Sequence, residues 1–516
     1  MDTMEWATEG SLAKLLRWRT AEAPGHPFCF VEDEGPWSYG DIADQAVAIH
    51  LRLIESGVTR GDMVLIRLGN DQRFPAAAFA VWMAGAAVIP MHPRAPAGDV
   101  VDVVAAMEPA VIIADPADND ARAAVATPVV SVGPFQPTSA GADRPSMFVP
   151  PDDVNGREPA LVLLTSGSTG KPKGVVLTHD NAWANLRATV SAFRRDTSPT
   201  ALPPTVKPPN LIANPLSHTA GVVRLLFALY VGRTVVLLRK FDGAVAHRVV
   251  VRHGIDNLTI NPAMIRMLID QVPTGESLGS VRYASSGTAP LPAALREEFE
   301  GRFGIPVLQA YGQTEAFGGI AIESVKDVLA GRRRPGSVGK PLPGVEVRVV
   351  DDGGEPVPTG EVGELLVRSR SATAGYVGSD ARPPLTADGW LDTGDRGRFD
   401  DEGYLYITGR SKNIIICGGF NIVPEELEAA LVHDSAVRDA AVLGVADDRL
   451  GEIPVALVES ADGPAAILQR VSNRLAPYKR PRQLFVVDAL PRVPNGKVDR
   501  PAAVELARAL SMAPTE

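Results

Sequence analysis

The chain has 516 residues, 45% of them hydrophobic, and 51 Lys plus Arg against 61 Asp plus Glu give a net charge of −10. That length supplies roughly three domains with buried cores. The acidic balance, with no basic run longer than Arg332-Arg333-Arg334, excludes a nucleic-acid footprint.

The first residues, MDTMEWATEG, are acidic and carry no signal-peptide pattern. Cys29 and Cys417 match no metal spacing, so a reducing cytoplasm is the expected setting. Up to about residue 150 the pattern alternates helix with short apolar strands: a helix over Asp41 to Glu55, strands over Met63 to Arg67 and Val111 to Ile113. Such alternation predicts a parallel sheet covered on both faces. Phe74 to Pro93 carries no formal charge and nearly matches a membrane span in length. Pro75, Gly85, Pro90 and Pro93 interrupt it, which predicts a buried Ala-rich helix running into a buried strand, and no membrane span. Pro137 to Pro151 reads as a surface linker.

Next comes Thr165 to Gly174, TSGSTGKPKG, after the apolar run Leu161 to Leu164. Glycines let backbone N–H groups approach an anion, while hydroxyls and lysines add donors and charge, so this strand is expected to end in a phosphate-holding loop. It is no Walker A loop, because two residues separate Gly167 from Gly170 and Pro172 follows Lys171, leaving no hydroxyl for a metal. Further on, Thr234 to Leu238 and Leu258 to Ile260 read as strands, with helices over His247 to Gly254 and Ala263 to Gln271. Asp242 is placed to cap the first of these helices. Strand Val281 to Ala284, loop Ser285 to Ala289, helix Pro292 to Phe303 and strand Val307 to Ala310 lead into the loop Tyr311-Gly312-Gln313-Thr314-Glu315. Both loops lie past carboxyl ends of parallel strands, where open α/β sheets bind ligands. The Arg332 trio reads as a solvated loop or an anion-facing patch. Beyond about residue 340 come short strands (Val345 to Val350, Gly363 to Val367, Tyr404 to Thr408), then an α+β unit with strand Ile414 to Ile416, helix Pro424 to Val432, and strands near Ala440 to Gly444 and Pro454 to Val458.

Five of these segments carry a resemblance: TSGSTGKPKG at 165–174, YGQTE at 311–315, Thr393-Gly394-Asp395, GRSKNIIICGGFNIVPEELE at 409–428, and PNGKVDR at 494–500. In order and rough spacing the chain resembles the adenylate-forming (AMP-binding) superfamily over nearly its whole length, most of all the acyl-CoA synthetases or acid–CoA ligases. The resemblance implies an α/β fold with a large N-terminal adenylation domain (residues 1–410) of parallel α/β sheets and a small β-rich subdomain. A small mobile C-terminal α+β domain (411–516) follows, hinged at Lys412. It implies ATP-dependent activation of a carboxylic acid to an acyl-adenylate, release of pyrophosphate, and transfer of the acyl group to CoA as the two domains alternate.

The chemistry requires cations and donors that neutralise polyanionic ATP as an anionic acid approaches. By resemblance, Thr165, Ser166, Gly167, Ser168, Thr169, Gly170 and Lys173 hold the β- and γ-phosphates. Glu315 binds Mg2+, Thr314 donates to the α-phosphate, and Tyr311 stacks on adenine with Gly287 and Thr288 opposite. Asp395, in a turn, accepts from the ribose hydroxyls and Arg410 supports the same region. Lys497 is the catalytic lysine bridging carboxylate and α-phosphate, and Gly418 with Gly419 passes the pantetheine arm. His218 sits at the mouth of an acid pocket walled by Ala284, Ser285, Gly312, Phe317 and Gly318, which implies an apolar acid, aromatic, alicyclic or medium-chain. CoA is the leading acceptor because the chain stops soon after PNGKVDR without a carrier domain; Lys479, Arg480 and Arg482 either meet its phosphates or form a solvated edge. A carrier protein or an amine remains an alternative acceptor, and a catalytically dead nucleotide-binding protein is the reading from another class.

Overall fold

The structure is a computed structural model that describes residues 10–120, 126–135, 148–149, 153–166, 172–196, 207–378, 385–410, 413, 415–417, 420–447, 450–471, 475, 479–493 and 496–512. The expected linker lies almost wholly outside these residues. So do Gly167, Ser168, Thr169, Gly170, Lys412, Gly418 and Gly419.

Apolar runs too short for helices form the centre of the first sheet. Its strand order is Gly375–Val377, Pro172–Thr178, Pro159–Ser166, Ala87–Pro90, Met63–Arg67, Val111–Ala114, Val129–Ser131. From Pro159–Ser166 to Val129–Ser131 neighbours are parallel. Ala87–Pro90 and Val111–Ala114 are buried at every position, as parallel strands covered on both faces must be. The charge-free stretch resolves as expected into helix Arg73–Met83, buried from Phe74 onward, and strand Ala87–Pro90. Among the described residues no helix is long and apolar enough to cross a membrane.

The second sheet runs Asn257–Ile260, Tyr283–Ser286, Val307–Gln313, Gly318–Ile322, Lys340–Pro341, its first three strands parallel. The strand expected to stop at Ala310 continues to Gln313, and Thr314–Ala316 is a 3-10 turn. The cause is a fold-back: Phe317 (φ 51°) and Gly318 (φ 107°) reverse the chain, so that Ala310 to Gln313 pairs with Gly318 to Ile322. A β-carbon on Gly312 would lie 1.8 Å from the Gly318 carbonyl oxygen, which leaves glycine alone at that position.

Strands Val345–Val350, Gly363–Ser369, Leu391–Phe399 and Leu405–Arg410 form an antiparallel sheet, the expected β-rich part. Here the expectation of a turn at Asp395 fails. It lies inside strand Leu391–Phe399, where Leu391, Thr393, Asp395 and Gly397 alternate onto the buried face. From Ile415 onward another sheet forms, with Gly451–Ser460 between Val437–Asp447 and Ile415–Cys417. Helix Pro424–Val432 covers one core of this unit and Arg500–Met512 another. The Arg332 trio lies in a loop as expected, with Arg332 and Arg334 exposed, and its charges are paired: Arg332 with Asp327, Arg333 with Glu300, and Arg334 with Glu402.

Helix Tyr39–Glu55 starts at a reciprocal box, in which Asp41 N donates to Ser38 Oγ (3.1 Å) and Ser38 N to Asp41 Oδ2 (2.8 Å). Asp242 likewise caps helix Gly243–His253 by accepting from Val245 N. Ser38→Ala is expected to remove about 1 kcal/mol of stability, seen as an earlier urea midpoint; an unmoved midpoint would show the box to be dispensable. Buried His179 accepts from Leu12 N at 3.0 Å, and desolvation lowers its pKa from 6.5 to about 4. As pH falls from 6.5 towards 4 the unfolded chain takes up this proton first, so stability declines across that window by up to about 1.4 kcal/mol per pH unit. His179→Gln should reduce the pH slope of the urea midpoint there; an unchanged slope would remove His179 as the cause.

Candidate active site

The hairpin Pro159–Ser166 and Pro172–Thr178 sets Thr165 opposite Lys173, whose carbonyl accepts from Thr165 Oγ1 at 3.5 Å. The second strand pairs antiparallel with the first, whereas a Walker loop opens a helix. Lys173 Nζ stands 3.6 Å above the ring of Tyr376 and 4.0 Å from Glu315 Oε1, and Tyr376 O–H donates to that oxygen at 3.1 Å. Burial, then the Glu315 charge, holds the Tyr376 phenol protonated well above its ordinary range. Tyr376 escapes sequence reasoning because only the pairing of Gly375–Val377 with Gly174 to Val176 brings it to Glu315.

Asp395 is 2% exposed and hydrogen-bonded from two directions. Tyr311 O–H donates to Oδ2 at 2.6 Å and Arg410 Nε to Oδ1 at 2.8 Å. Burial and the adjacent carboxylate push the Tyr311 phenol far up. Each Asp395 oxygen keeps a second lone pair for another donor. Across the opening, Gly287 and Thr288 leave strand Tyr283–Ser286, and Thr288 holds φ 69°, a left-handed conformation costly for a β-branched residue.

Thr314 Oγ1 lies 2.9 Å from Thr219 Oγ1, tying the 3-10 turn to the start of helix Thr219–Val231. His218 is the residue before that helix. Desolvation, then the nearby charges of Lys497 and His92, lowers its pKa to about 4, so its imidazole is neutral near pH 7. Lys497 comes from the far end of the chain. Its turn is seated on the large unit, since a β-carbon at Gly496 would lie 3.3 Å from Ala263 Cβ and from Asn261 Nδ2. Burial and then Arg410 lower the Lys497 pKa, while Asp395 and Glu315 oppose them. The structure thus brings Lys497 within electrostatic reach of His218, Arg410, Asp395 and Glu315.

The expected acid pocket needs correction. Ala284 and Phe317 have no accessible surface. Strand alternation turns Ala284 into the core beneath the second sheet, away from Tyr283 and Ser285, and the left-handed turn at Phe317 sends its ring into the main core. Gly312 and Gly318 keep accessible surface and Ser285 is 5% exposed. Beside Ser285 lies Arg224, whose Nη2 donates to Ser285 Oγ at 3.3 Å. A lone charge in TAGVVRLLFALYV was the available signal for it. At the expected CoA-facing edge, Lys479 is bound to both oxygens of Glu426 (2.7 and 2.6 Å), Arg480 Nε donates to the Leu475 carbonyl at 3.4 Å, and Arg482 is exposed.

Residues 16–377 match the family described as AMP-binding enzyme, and residues 426–497 match the AMP-binding enzyme C-terminal domain. A sulfoacetate–CoA ligase of Cupriavidus necator is 32% identical over 511 residues, covering 95% of this chain and 96% of its own length. The structure of ATP-bound MatB from Rhodopseudomonas palustris superposes with a TM-score of 0.84 at 28% identity, covering 96% of this chain and 99% of the other. The amide bond synthetase McbA from Marinactinospora thermotolerans does so with 0.82 at 29% identity, covering 97% and 100%. With the family match spanning most of the chain over a site where the adenylation motifs meet, the protein belongs to the AMP-binding enzyme family.

Proposed function

We propose that this enzyme joins a small carboxylic acid to the thiol of CoA at the expense of ATP, through an acyl-adenylate. The observation that carries the reading is the convergence of Lys497, from the C-terminal unit, with Glu315, Asp395, Arg410 and His218. A carboxylate attacks the α-phosphorus, the bond to the bridging oxygen of pyrophosphate breaks, and the acyl-adenylate forms. The thiolate of CoA then displaces AMP from the acyl carbon. The first step brings an anion to a polyanion, so its barrier is governed by charge stabilisation.

Lys497 bridges the carboxylate and the α-phosphate. Buried and beside Arg410, its ammonium is poorly solvated, which makes it responsive to an incoming anion. Thr165 and Lys173, with Ser166 to Gly170, grip the β- and γ-phosphates. Thr314 donates to the α-phosphate, and Asp395 with Arg410 holds the ribose. Tyr311 and the Gly287–Thr288 turn flank the adenine. Neutral His218 closes the acid end without adding repulsive charge. Among the described residues no three His, Cys, Asp or Glu side chains gather around a point. Glu315, a hard oxygen donor beside Lys173, fits Mg2+, whose remaining positions phosphate oxygens and water would fill. Bound there, Mg2+ supplies further neutralisation of the phosphate charge.

Residues 1–410 and 411–516 act as two bodies hinged at Lys412. Rotation withdraws Lys497 and presents Gly418-Gly419 to the pantetheine arm, in a cytoplasmic setting. The primary test is pyrophosphate release from ATP, Mg2+ and a panel of carboxylic acids, followed by mass spectrometry with CoA, amines or a phosphopantetheinyl carrier added. An acyl-CoA product supports the assignment, an amide or acyl-carrier product moves it to the alternative acceptor, and no pyrophosphate with any acid rejects it. Lys497→Ala should lose adenylation by roughly 100-fold or more while transfer from preformed adenylate to CoA is largely retained; equal loss in both half-reactions would contradict the role given to Lys497. Lys412→Pro should slow thiol transfer more than adenylation, and normal rates for both would remove the hinge from that position.

A further inference from the structure

Helix Thr219–Val231 buries Gly221, Val222, Leu225, Leu226, Ala228 and Leu229 in the core. The partly accessible face carries Ala220, Val223, Arg224 and Phe227. Arg224 is the only charged residue of the helix. It is deep enough that desolvation lowers its pKa, and the nearby Tyr283 phenol opposes that effect. Tyr283 and Ser285 alternate onto the same face of their strand. A guanidinium offers five N–H donors; among the described residues Arg224 makes one hydrogen bond, to the neutral Ser285 Oγ, and pairs with no carboxylate. The neighbouring Arg233 shows what this interior does when a carboxylate is at hand: it lies 3.1 Å from Asp256 Oδ1 and 3.1 Å from Asn210 Oδ1.

The direction of the helix locates this cation relative to the chemistry. Its first residue, Thr219, bonds to Thr314, and His218 precedes it. Five residues at about 1.5 Å rise put the Arg224 backbone roughly 7.5 Å deeper along the axis. Val223, one position before, faces the fold-back, with its Cγ2 3.6 Å from where a Gly318 β-carbon would be. Val223 thus packs toward the fold-back one position before Arg224.

We propose that Arg224 binds a second oxyanion at the far end of the acid, so that the enzyme's substrates are carboxylic acids with a distal anionic group. The inference rests on the carboxylate-activation reading above and narrows its substrate class. A guanidinium fork suits an oxyanion, and Ser285 holds it from the other side.

The test compares matched acids that differ in one charge: glutarate, adipate and suberate, each against its monoamide, with kcat/KM read from pyrophosphate release. In the wild-type enzyme at least one diacid should exceed its monoamide by about 100-fold, the scale for a desolvated charge pair. R224M should cut that ratio by a similar factor, whereas R224K, keeping the charge and losing the fork, should fall between. In the wild type the preferred diacid, added with a non-hydrolysable ATP analogue, should raise the melting midpoint, and R224M should lose this shift. Monoamides used as well as diacids, or R224M lowering both members of a pair equally, would overturn the inference while leaving acid activation standing. No pyrophosphate with any acid would remove the activation reading and this inference together. If R224M does not fold, R224K carries the test, and an unchanged diacid-to-monoamide ratio in that variant would also overturn the inference.

Discussion

Asp395 is the charge on which the site's geometry depends. A carboxylate with 2% exposure persists because Tyr311 reaches it from the second sheet and Arg410 from the end of a neighbouring strand of its own sheet. Arg410 is more than half exposed, so solvent screens its pairing, and the shielded Tyr311–Asp395 hydrogen bond does most to fix these residues' relative positions. They also clasp the YGQTE strand to the β-rich sheet. Arg410 lies at the end of strand Leu405–Arg410, where the chain departs for the C-terminal unit. The side chain that secures the carboxylate therefore marks the exit towards the unit that delivers Lys497.

Charge also explains why a lysine on a separate unit suits this chemistry. Lys497 lies where burial and Arg410 weaken its proton affinity, while Asp395 and Glu315 strengthen it. Its balance shifts with every anion that enters or leaves. In the proposed function, ATP and acid would add negative charge that holds the ammonium in place, and departure of pyrophosphate would remove much of it, so that the attraction holding the Gly496–Lys497 turn near Asn261 and Ala263 would fall as the first half-reaction ends. Neutral His218 does not compete for the anions, because a buried imidazole beside a lysine stays unprotonated near pH 7.

Local chemistry was legible in the sequence; pairings across the fold were not. Helix Pro424–Val432 could be read to the residue because Pro424 and the glutamates behind it specify a helix start. The buried helix Arg73–Met83 and strand Met63–Arg67 followed from apolar pattern. The Thr-Gly-Asp segment read as a turn because glycine beside aspartate usually makes one, yet pairing on both sides turns it into strand. Ala284 and Phe317 were assigned to the pocket by position in the motifs. Which way each side chain points depends on sheet register and on the φ of 51° at Phe317, and neither leaves a compositional trace. Tyr376 contacts Glu315 across 61 residues of sequence, and only the assembled first sheet makes them neighbours.

Arg224 follows a different logic from the other charges. Asp395, Asp256 and Glu300 each lie beside a cation supplied by the fold, as buried charges usually do. For Arg224 the fold supplies a serine hydroxyl and a phenol. Folding alone gains little from such a residue, since an apolar side chain of similar length would avoid its desolvation. A ligand that binds the folded chain and satisfies the guanidinium would recover that cost on binding, stabilising the folded form by mass action. The same desolvation that disfavours the Arg224 charge would strengthen its attraction for an oxyanion, because a charge pair shielded from water interacts more strongly than one in solvent. Substrate discrimination at this end of the pocket would then arise chiefly from the uncompensated cation, with the apolar wall setting the acid's length and shape.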